Sequence, residues 1–174
     1  GPPRCFHSTV LHPDGTCLVV YGGSIITDRC DQKNLSDVFL FHFQSKKWTK
    51  QRCSGPQLAT ASHSAIVYGR HMYVLGDCLP DFQEFKKRGD AHVGVFRRLD
   101  LDTYEWTNLR YSTKLKVLKK FSMNCWNGQM VVFGGDAYDR HGVWENTAAM
   151  QLYDFQSKKW SLVHYNNNAS LAPH

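Results

Sequence analysis

Three short stretches of the chain share one pattern, in which a run of apolar residues ends at glycine. They read LVVYGG at residues 18–23, MYVLGD at 72–77 and MVVFGG at 130–135. A continuous apolar run of this length is typical of a strand whose two faces are both buried. A glycine at the end of such a strand lets the backbone approach a neighbouring sheet closely. The pattern therefore predicts three buried strands with tightly packed ends.

The spacing around these runs divides the chain into three units. The doublets begin at residues 22, 76 and 134, and each is followed by a tryptophan, at 48, 106 and 160. The hexapeptide FQSKKW occurs at 43–48 and again, unchanged, at 155–160, an offset of 112 residues. Since 112 is twice 56, the sequence predicts three repeats, at about 4–53, 57–111 and 117–166.

Each repeat has the apolar segments and turn signals expected of four antiparallel strands. A first apolar segment (HSTVL, HSAIVY or FSMNCW) runs into a turn signal at 13–15, 69–70 or 127–128. Asp-Gly and Asn-Gly at such turns favour hairpins because the turns require positive φ. The buried run is the second strand, a long polar loop follows it, and the third and fourth strands flank a short polar turn. The fourth strand opens at the tryptophan, which is large enough to wedge between stacked sheets. Sheets of this kind arranged around an axis form a β-propeller.

These residues resemble the kelch family, and the resemblance covers nearly the whole chain. It is carried by the glycine doublet after a Val-rich strand, by YDFQSKKW at 153–160, and by PRCFHS at 3–8 with a weaker copy at 60–64. The middle repeat departs from the pattern, since Asp77 replaces the second glycine and Arg97-Arg98 lie within a strand, and Phe121 replaces a histidine in the third. The resemblance implies an all-β fold of three four-stranded blades, half of a ring of about six. We expect the second blade to be the least regular.

Composition and charge exclude few classes of protein function. The formal net charge is +6, and no dense basic stripe marks a nucleic-acid reader. The six cysteines form no C-x-x-C pair, which argues against zinc and indicates buried free thiols of a cytoplasmic protein. The even cysteine count and the Asn-X-Ser sequons at 34–36 and 168–170 keep a secreted protein as the alternative. No P-loop, nucleophile elbow or HExxH motif appears, and we predict no cofactor.

Candidate binding residues lie in the long loops. The loops between strands two and three (24–34, 78–92 and 137–146) and the between-blade loops (54–61 and 109–120) leave one rim of the predicted propeller. Long loops on a rigid scaffold usually carry binding, and kelch proteins typically bind other proteins there. Cations would pair with a partner's carboxylates and aromatic residues would anchor it. The candidates are Arg29, Lys33, Phe82, Lys86, Lys87, Arg88, Tyr138, Arg140, His141 and Trp144. For each charged residue the alternative is a solvated loop position, and for Trp144 it is packing under its own loop.

A weaker alternative is a metal-dependent enzyme. Asp136, Asp139, His141 and Glu145 lie close in sequence and have side chains that bind divalent cations. The metal-ligand sets of catalytic kelch-like propellers have no match that we identify in this chain. We therefore predict a non-catalytic module that binds a partner protein, as a scaffold or substrate adaptor, with no membrane contact and no nucleic acid.

Three blades do not close a ring, because propellers use about four to eight. One explanation is that residues 1–174 are a segment of a longer protein. The other is that two three-blade chains pair. An open arc leaves two apolar blade faces bare, and this favours self-association.

Overall fold

The computed structural model describes residues 1, 3–26, 31–76, 95–110, 118–138 and 144–163, and these contain strands and no helix. Blade one comprises β1 (Ser8–Leu11), β2 (Cys17–Tyr21), β3 (Ser24–Ile26), β4 (Gln32–Asn34), β5 (Val38–His42) and β6 (Lys47–Gln51). Blade two comprises β7 (Ser64–Tyr68), β8 (His71–Gly76), β9 (Val95–Asp100) and β10 (Trp106–Asn108). Blade three and its approach comprise β11 (Leu118–Lys119), β12 (Ser122–Trp126), β13 (Gln129–Phe133), β14 (Asp136–Tyr138), β15 (Trp144–Asn146), β16 (Met150–Asp154) and β17 (Lys159–Val163).

The predicted meander is confirmed in all three blades. The sheets have the orders β1-β2-β5-β6, β7-β8-β9-β10 and β12-β13-β16-β17, and every neighbouring pair is antiparallel. The turns between the first two strands carry positive φ at Gly15, Gly69 and Asn127-Gly128, as their sequences predict. Within the described ranges, no helix is long and apolar enough to cross a membrane.

The repeat is also visible in the backbone at residues that are not glycine. Lys46, Tyr104 and Lys158, each two residues before its tryptophan, have φ of 55°, 56° and 57°. Phe6, Ser62 and Lys120, each two residues before the first strand of a blade, have φ of 56°, 58° and 56°. Different side chains thus adopt one unusual conformation at equivalent positions. The turn geometry is therefore set by the blade architecture and not by a glycine preference.

The core consists of two layers between blades. The layer between blades one and two contains Val10, Cys17, Val19, Tyr21, Val38, Leu40, Met72, Val74, Leu99, Leu101 and Trp106. The layer between blades two and three contains Tyr73, Leu75, Phe96, Phe121, Met123, Met130, Val132, Ala137, Tyr153 and Phe155, with Trp160 packed against it. We call the sheet face that carries a blade's repeat tryptophan its front face and the opposite side its back face. The front faces of blades two and three pack on the back faces of blades one and two, respectively.

Among the described residues, each end of the arc leaves a sheet face partly uncovered. Trp106 is 2% exposed on the front face of blade two, whereas Trp48 is 44% exposed on the front face of blade one. Tyr21 is 0% exposed on the back face of blade one, whereas its counterpart Phe133 on blade three is 45% exposed. The prediction that the tryptophans lie between sheets is confirmed for Trp106 and Trp160. It is wrong for Trp48, because no blade of the described chain covers that face.

Blade two departs from the pattern through a buried cation. Arg97 is 0% exposed and lies in the layer between blades one and two. Its guanidinium lies 4.1 Å from the centre of the Trp106 ring, and its Nη1 donates to Tyr21 Oη at 3.2 Å. Its Nη2 donates to the carbonyl of Pro56, which precedes blade two. Hydrogen bonds and aromatic faces offset the cost of burying this charge. The four-stranded sheet remains intact, and the departures expected at 77–94 lie outside the described residues.

Candidate binding rim

The base of the rim in blade one is a backbone network around Gly23. The Gly23 N–H donates to the Thr60 carbonyl at 2.8 Å, and the Leu35 N–H donates to the Gly23 carbonyl at 2.8 Å. The Thr60 N–H donates to the Leu35 carbonyl at 3.0 Å and completes the connection. The end of β2, the approach to β5 and the between-blade loop are thereby joined at one point. The between-blade loop and the strand two–three loop share the rim, as the topology predicts.

Gly23 is required at this junction for two reasons. Its φ is 87°, in the left-handed region that side chains disfavour. A Cβ at this position would lie 2.6 Å from the Cys5 carbonyl oxygen and 2.8 Å from the Cβ of His7. Gly76, which begins the middle doublet, also meets its neighbour closely: a Cβ there would lie 2.7 Å from the Cβ of His63. The doublets therefore permit contact between the end of the second strand and the segment entering a blade.

Two β-hairpins lie on this rim at positions where the sequence predicts only polar loops. In blade one β3 pairs with β4, and in blade three β14 pairs with β15, at positions that differ by 112 residues throughout. The Thr147 N–H donates to the Gly135 carbonyl at 2.9 Å, as Leu35 does to Gly23. The loops at 24–34 and 137–146 are thus corrected to hairpins. Applying the 112-residue offset to these loops, with β-branched residues at 25–27, is the signal that would have revealed them.

The segment that enters a blade is tied to the same hairpin. In blade one, Cys5 and Ser24 exchange two backbone hydrogen bonds of 3.0 and 2.8 Å. In blade three the short strand β11 pairs with β14, with Lys119 opposite Asp136. The next residue, Lys120, places its Nζ 3.3 Å from Asp136 Oδ2. The end of the predicted loop 109–120 therefore adds a strand to the rim and fixes the hairpin's position.

The structure describes only a few of the predicted contact residues. Lys33 is exposed on β4, opposite Ile25. Tyr138 and Trp144 lie directly opposite each other in the pairing of β14 with β15, and their side chains are outside the described part. The remaining candidates lie wholly outside the described ranges and stay predictions: Arg29, Phe82, Lys86, Lys87, Arg88, Arg140 and His141. Sequence reasoning missed Ile26, which is 76% exposed at the end of β3.

The four-residue metal candidate is not assembled as the sequence suggests. Asp136 lies opposite Asn146, and Glu145 lies opposite Ala137. Because successive residues of a strand point to opposite sides, the two carboxylates lie on opposite faces of the hairpin. The Asp136 carboxylate also faces the Lys120 ammonium. Among the residues that the structure describes, no three potential metal ligands cluster, and Asp139 and His141 lie outside them.

The opposite rim is formed by short turns whose polar groups are internally paired. Hydrogen bonds from the backbone N–H and then the hydroxyl of Thr16 lower the pKa of Asp14 to about 2. His12 Nε2 lies 3.1 Å from the Leu101 carbonyl oxygen and connects blade one to blade two. Arg70 pairs with Asp102 across two adjacent turns.

Four of the six cysteines fall within the described residues, and all four are free thiols. Cys17 is buried and Cys53 is half-buried, and burial raises the pKa of the Cys53 thiol to about 11. Cys5 and Cys125 are exposed, contrary to the expectation of burial. Cys30 and Cys78 lie outside the described ranges. Burial also raises the pKa of the Cys17 and Cys125 thiols, the opposite of what a nucleophilic cysteine requires.

Comparisons with known proteins identify relatives that carry the same kind of repeat, although no protein-family model matches the chain. The chain is 28% identical to Kelch domain-containing protein 3 of Bos taurus over 165 residues, which are 90% of this chain and 39% of that protein. It is 33% identical to Kelch domain-containing protein 10 of Xenopus laevis over 105 residues, 59% of this chain and 22% of that protein. It is 30% identical to Host cell factor of Drosophila melanogaster over 121 residues, 64% of this chain and 8% of that protein. The chain thus spans well under half the length of these relatives.

The solved structure of YjhT has the same fold. It superposes with a TM-score of 0.73 at 18% identity and covers 97% of this chain and 54% of its own length. Three meander sheets, front-to-back packing and the ordered glycine and tryptophan positions agree with this likeness. The chain is therefore similar to kelch-domain proteins in sequence, and its three repeats form part of a β-propeller fold.

Proposed function

We propose that this chain is a non-catalytic interaction module that presents its hairpin rim to a partner protein. Its relatives with kelch domains support this role, because kelch propellers are commonly protein-interaction modules. Within a larger protein the module acts as a scaffold or as a substrate adaptor. The four free thiols support a reducing compartment such as the cytoplasm.

The observation that carries the proposal is a comparison of the two rim hairpins within the chain. Their strands and registers coincide at an offset of 112 residues, and Asn34 is retained as Asn146 at the base. The outer positions differ in chemistry, since Lys33 corresponds to Glu145. Ile26 and Gln32 correspond to the aromatic residues Tyr138 and Trp144. Matching strand registers that carry chemically unlike residues are the arrangement of a rigid scaffold that carries a recognition surface.

The backbone anchoring of these hairpins favours binding energetically. Loop ordering on association costs free energy, and side chains held on paired strands have already lost much of that freedom. Ile26 offers an exposed apolar contact and Lys33 a cation on the same hairpin. Because Lys33 pairs with Ile25, its side chain lies on the face of the hairpin opposite to that of Ile26. A partner that contacts both side chains must therefore enclose the hairpin, with an acidic group on one side and an apolar group on the other.

Quantitative capture from cell lysate with two matched variants tests the proposal. The rim variant Ile26→Glu/Lys33→Glu and the control Lys46→Glu/Lys47→Glu each replace two exposed side chains of blade one, on opposite rims. We expect the rim variant to capture at least one protein in an amount about tenfold lower than the control captures. A tenfold loss of affinity corresponds to about 1.4 kcal/mol. Equal retention by the two variants would overturn the rim assignment. Stoichiometric transition metal in the purified protein would contradict the non-catalytic assignment.

A further inference from the structure

A groove of about 420 Å³ lies at the base of the hairpin rim, between the outer strands of blade one and the segment that leads to blade two. Sites for small ligands have volumes of about 300–1,000 Å³, so this groove has room for one side chain of a partner with its flanking backbone. The lining comes from the connection between β4 and β5, from the end of β6 and from the between-blade segment, and it includes Ser36, Asp37, Lys50, Arg52, Cys53 and Gln57.

The two exposed cations of the groove lie on the rim and not between blades. At the 58-residue offset between the first two repeat tryptophans, Lys50 and Arg52 of blade one correspond to Asn108 and Arg110 of blade two. Asn108 and Arg110 are exposed although blade one covers the front face of blade two. A blade packed on the front face of blade one would therefore leave Lys50 and Arg52 accessible as well.

The wall of the groove that belongs to the between-blade segment is held in place by blade two. The Ser54 N–H donates to the Tyr104 carbonyl at 3.1 Å, and the Trp106 N–H donates to the Ser54 carbonyl at 3.0 Å. The buried Arg97 donates through its Nη2 to the carbonyl of Pro56 in the same segment. A wall that is already ordered loses little conformational freedom when a ligand binds, and this favours affinity.

Two backbone carbonyls of this wall are already hydrogen-bonded. Gln51 donates through its Nε2 to the Arg52 carbonyl at 2.9 Å, and Gln57 donates through its Nε2 to the Cys53 carbonyl at 2.7 Å. These glutamine side chains fix the wall further. Side-chain charges, and not these two carbonyl oxygens, are what the wall offers to a ligand.

The charges of the groove leave two cations in excess. Asp37 is the one carboxylate among the described lining residues, and Arg4, whose side chain is 5% exposed, pairs with it at 2.8 Å. The Lys50 Nζ lies 3.9 Å from Asp37 Oδ2, and 66% of the lysine side chain is exposed. The Arg52 guanidinium is exposed and forms no hydrogen bond or ion pair with any described residue. Because Arg4 balances the Asp37 charge, the charges of Lys50 and Arg52 remain for a ligand.

We propose that this groove binds the side-chain carboxylate of an aspartate or glutamate in a linear segment of the partner protein. The inference rests on the proposed function and names the chemistry of the partner. The planar guanidinium of Arg52 pairs with the carboxylate through two parallel hydrogen bonds, and the Lys50 ammonium supplies a second positive charge. The fixed Asp37 carboxylate disfavours a nucleic-acid strand, because the phosphates of such a strand follow one another closely.

Selection from a library of random peptides on the immobilised protein tests the proposal. The C-terminus of each peptide is fused to its carrier, so that only side chains supply carboxylates. We expect the enriched peptides to share an aspartate or glutamate at one position, and Lys50→Gln/Arg52→Gln to weaken their binding about tenfold or more. The matched control Lys46→Gln/Lys47→Gln removes two exposed cations from the opposite rim and should bind the peptides as the wild type does. Circular dichroism confirms that each variant remains folded.

Replacing the shared acidic residue of a peptide by its amide completes the test. The amide peptide should bind the wild type about tenfold more weakly than the acidic peptide does, whereas Lys50→Gln/Arg52→Gln should bind the two peptides equally. The proposal is refuted if no peptide is enriched, if the enriched peptides share no carboxylate, or if wild type and groove variant bind them equally. Binding of single-stranded polythymidine that the groove variant abolishes would also refute it. If the rim variants still differ in lysate capture, such a result removes the groove assignment and leaves the proposed function standing.

Discussion

Replacing Gly23 with alanine tests whether the glycine doublet serves the close packing of the rim or only its turn. The residue combines a φ of 87° with a position where a Cβ would lie 2.6 Å from the Cys5 carbonyl oxygen. Two other glycines separate these effects. Gly15 has a φ of 74° and no atom within 4 Å of its added Cβ. Gly76 has no positive φ, but its Cβ would lie 2.7 Å from the Cβ of His63.

The expected losses in the free energy of unfolding follow from these geometries. Gly15→Ala incurs only the left-handed backbone cost, about 1–2 kcal/mol. Gly76→Ala incurs only steric crowding, which costs about 1–3 kcal/mol when a packed interior must shift. Gly23→Ala incurs both, so its loss is about 2–5 kcal/mol. The atoms that crowd Gly23 belong to the backbone and to a Cβ, and they cannot rotate away as the end of a flexible side chain does.

Urea unfolding of the three variants and the wild type at one fixed protein concentration measures these differences. An unchanged denaturant slope shows that the same surface is exposed in each case. If Gly23→Ala proves no more destabilising than Gly15→Ala, the close-approach explanation of the doublet is refuted. The turn conformation alone would then account for it.

Two further predictions concern the layer between blades one and two. Trp106→Ala should reduce the free energy of unfolding by about 3–5 kcal/mol, and Trp48→Ala by less than half of that at chain concentrations too low for association, because Trp48 is already 44% exposed. Equal losses in urea unfolding would contradict the front-to-back packing. Burial lowers the pKa of His63 from 6.5 to about 4, so the unfolded chain binds a proton at a higher pH than the folded chain. The free energy of unfolding should therefore fall by up to about 3 kcal/mol as the pH drops from about 6.5 to 4, and should not change on this account above 6.5. His63→Phe, which mimics Phe121 at the equivalent position, should abolish that part of the pH dependence in urea titrations, and an unchanged dependence would show that another group causes it.

The strands and turns were predictable because their signals are local and occur three times. A continuous apolar run indicates a strand buried on both faces, and Asn127-Gly128 indicates a hairpin with positive φ. Tyr104 shows the limit of such signals. Its φ of 56° matches that of Lys46 and Lys158, yet no residue preference marks the position. At this position the blade architecture imposes a left-handed backbone conformation that the residue types do not predict.

The buried Arg97 could not be predicted, because the groups that satisfy it come from another repeat. The Tyr21 hydroxyl and the Pro56 carbonyl are 76 and 41 residues away in sequence. From sequence alone, an arginine within a strand indicates an exposed face. The rim hairpins were missed for a different reason. Three-residue strands such as Gln32–Asn34 are too short and too polar to show alternation, and their pairing follows from the network at Gly23.

The exposure of Trp48 shows what a repeat pattern leaves undetermined. Trp48, Trp106 and Trp160 follow the same local geometry, with a left-handed residue two positions earlier in each case. Local sequence fixes where each tryptophan points, but the neighbouring blade fixes whether that direction is buried. The free-energy contribution of the same residue therefore differs between repeats, although its conformation does not. Any surface that restores the burial of Trp48 must resemble the back face that covers Trp106, and this requirement makes a blade of the same kind its most natural partner.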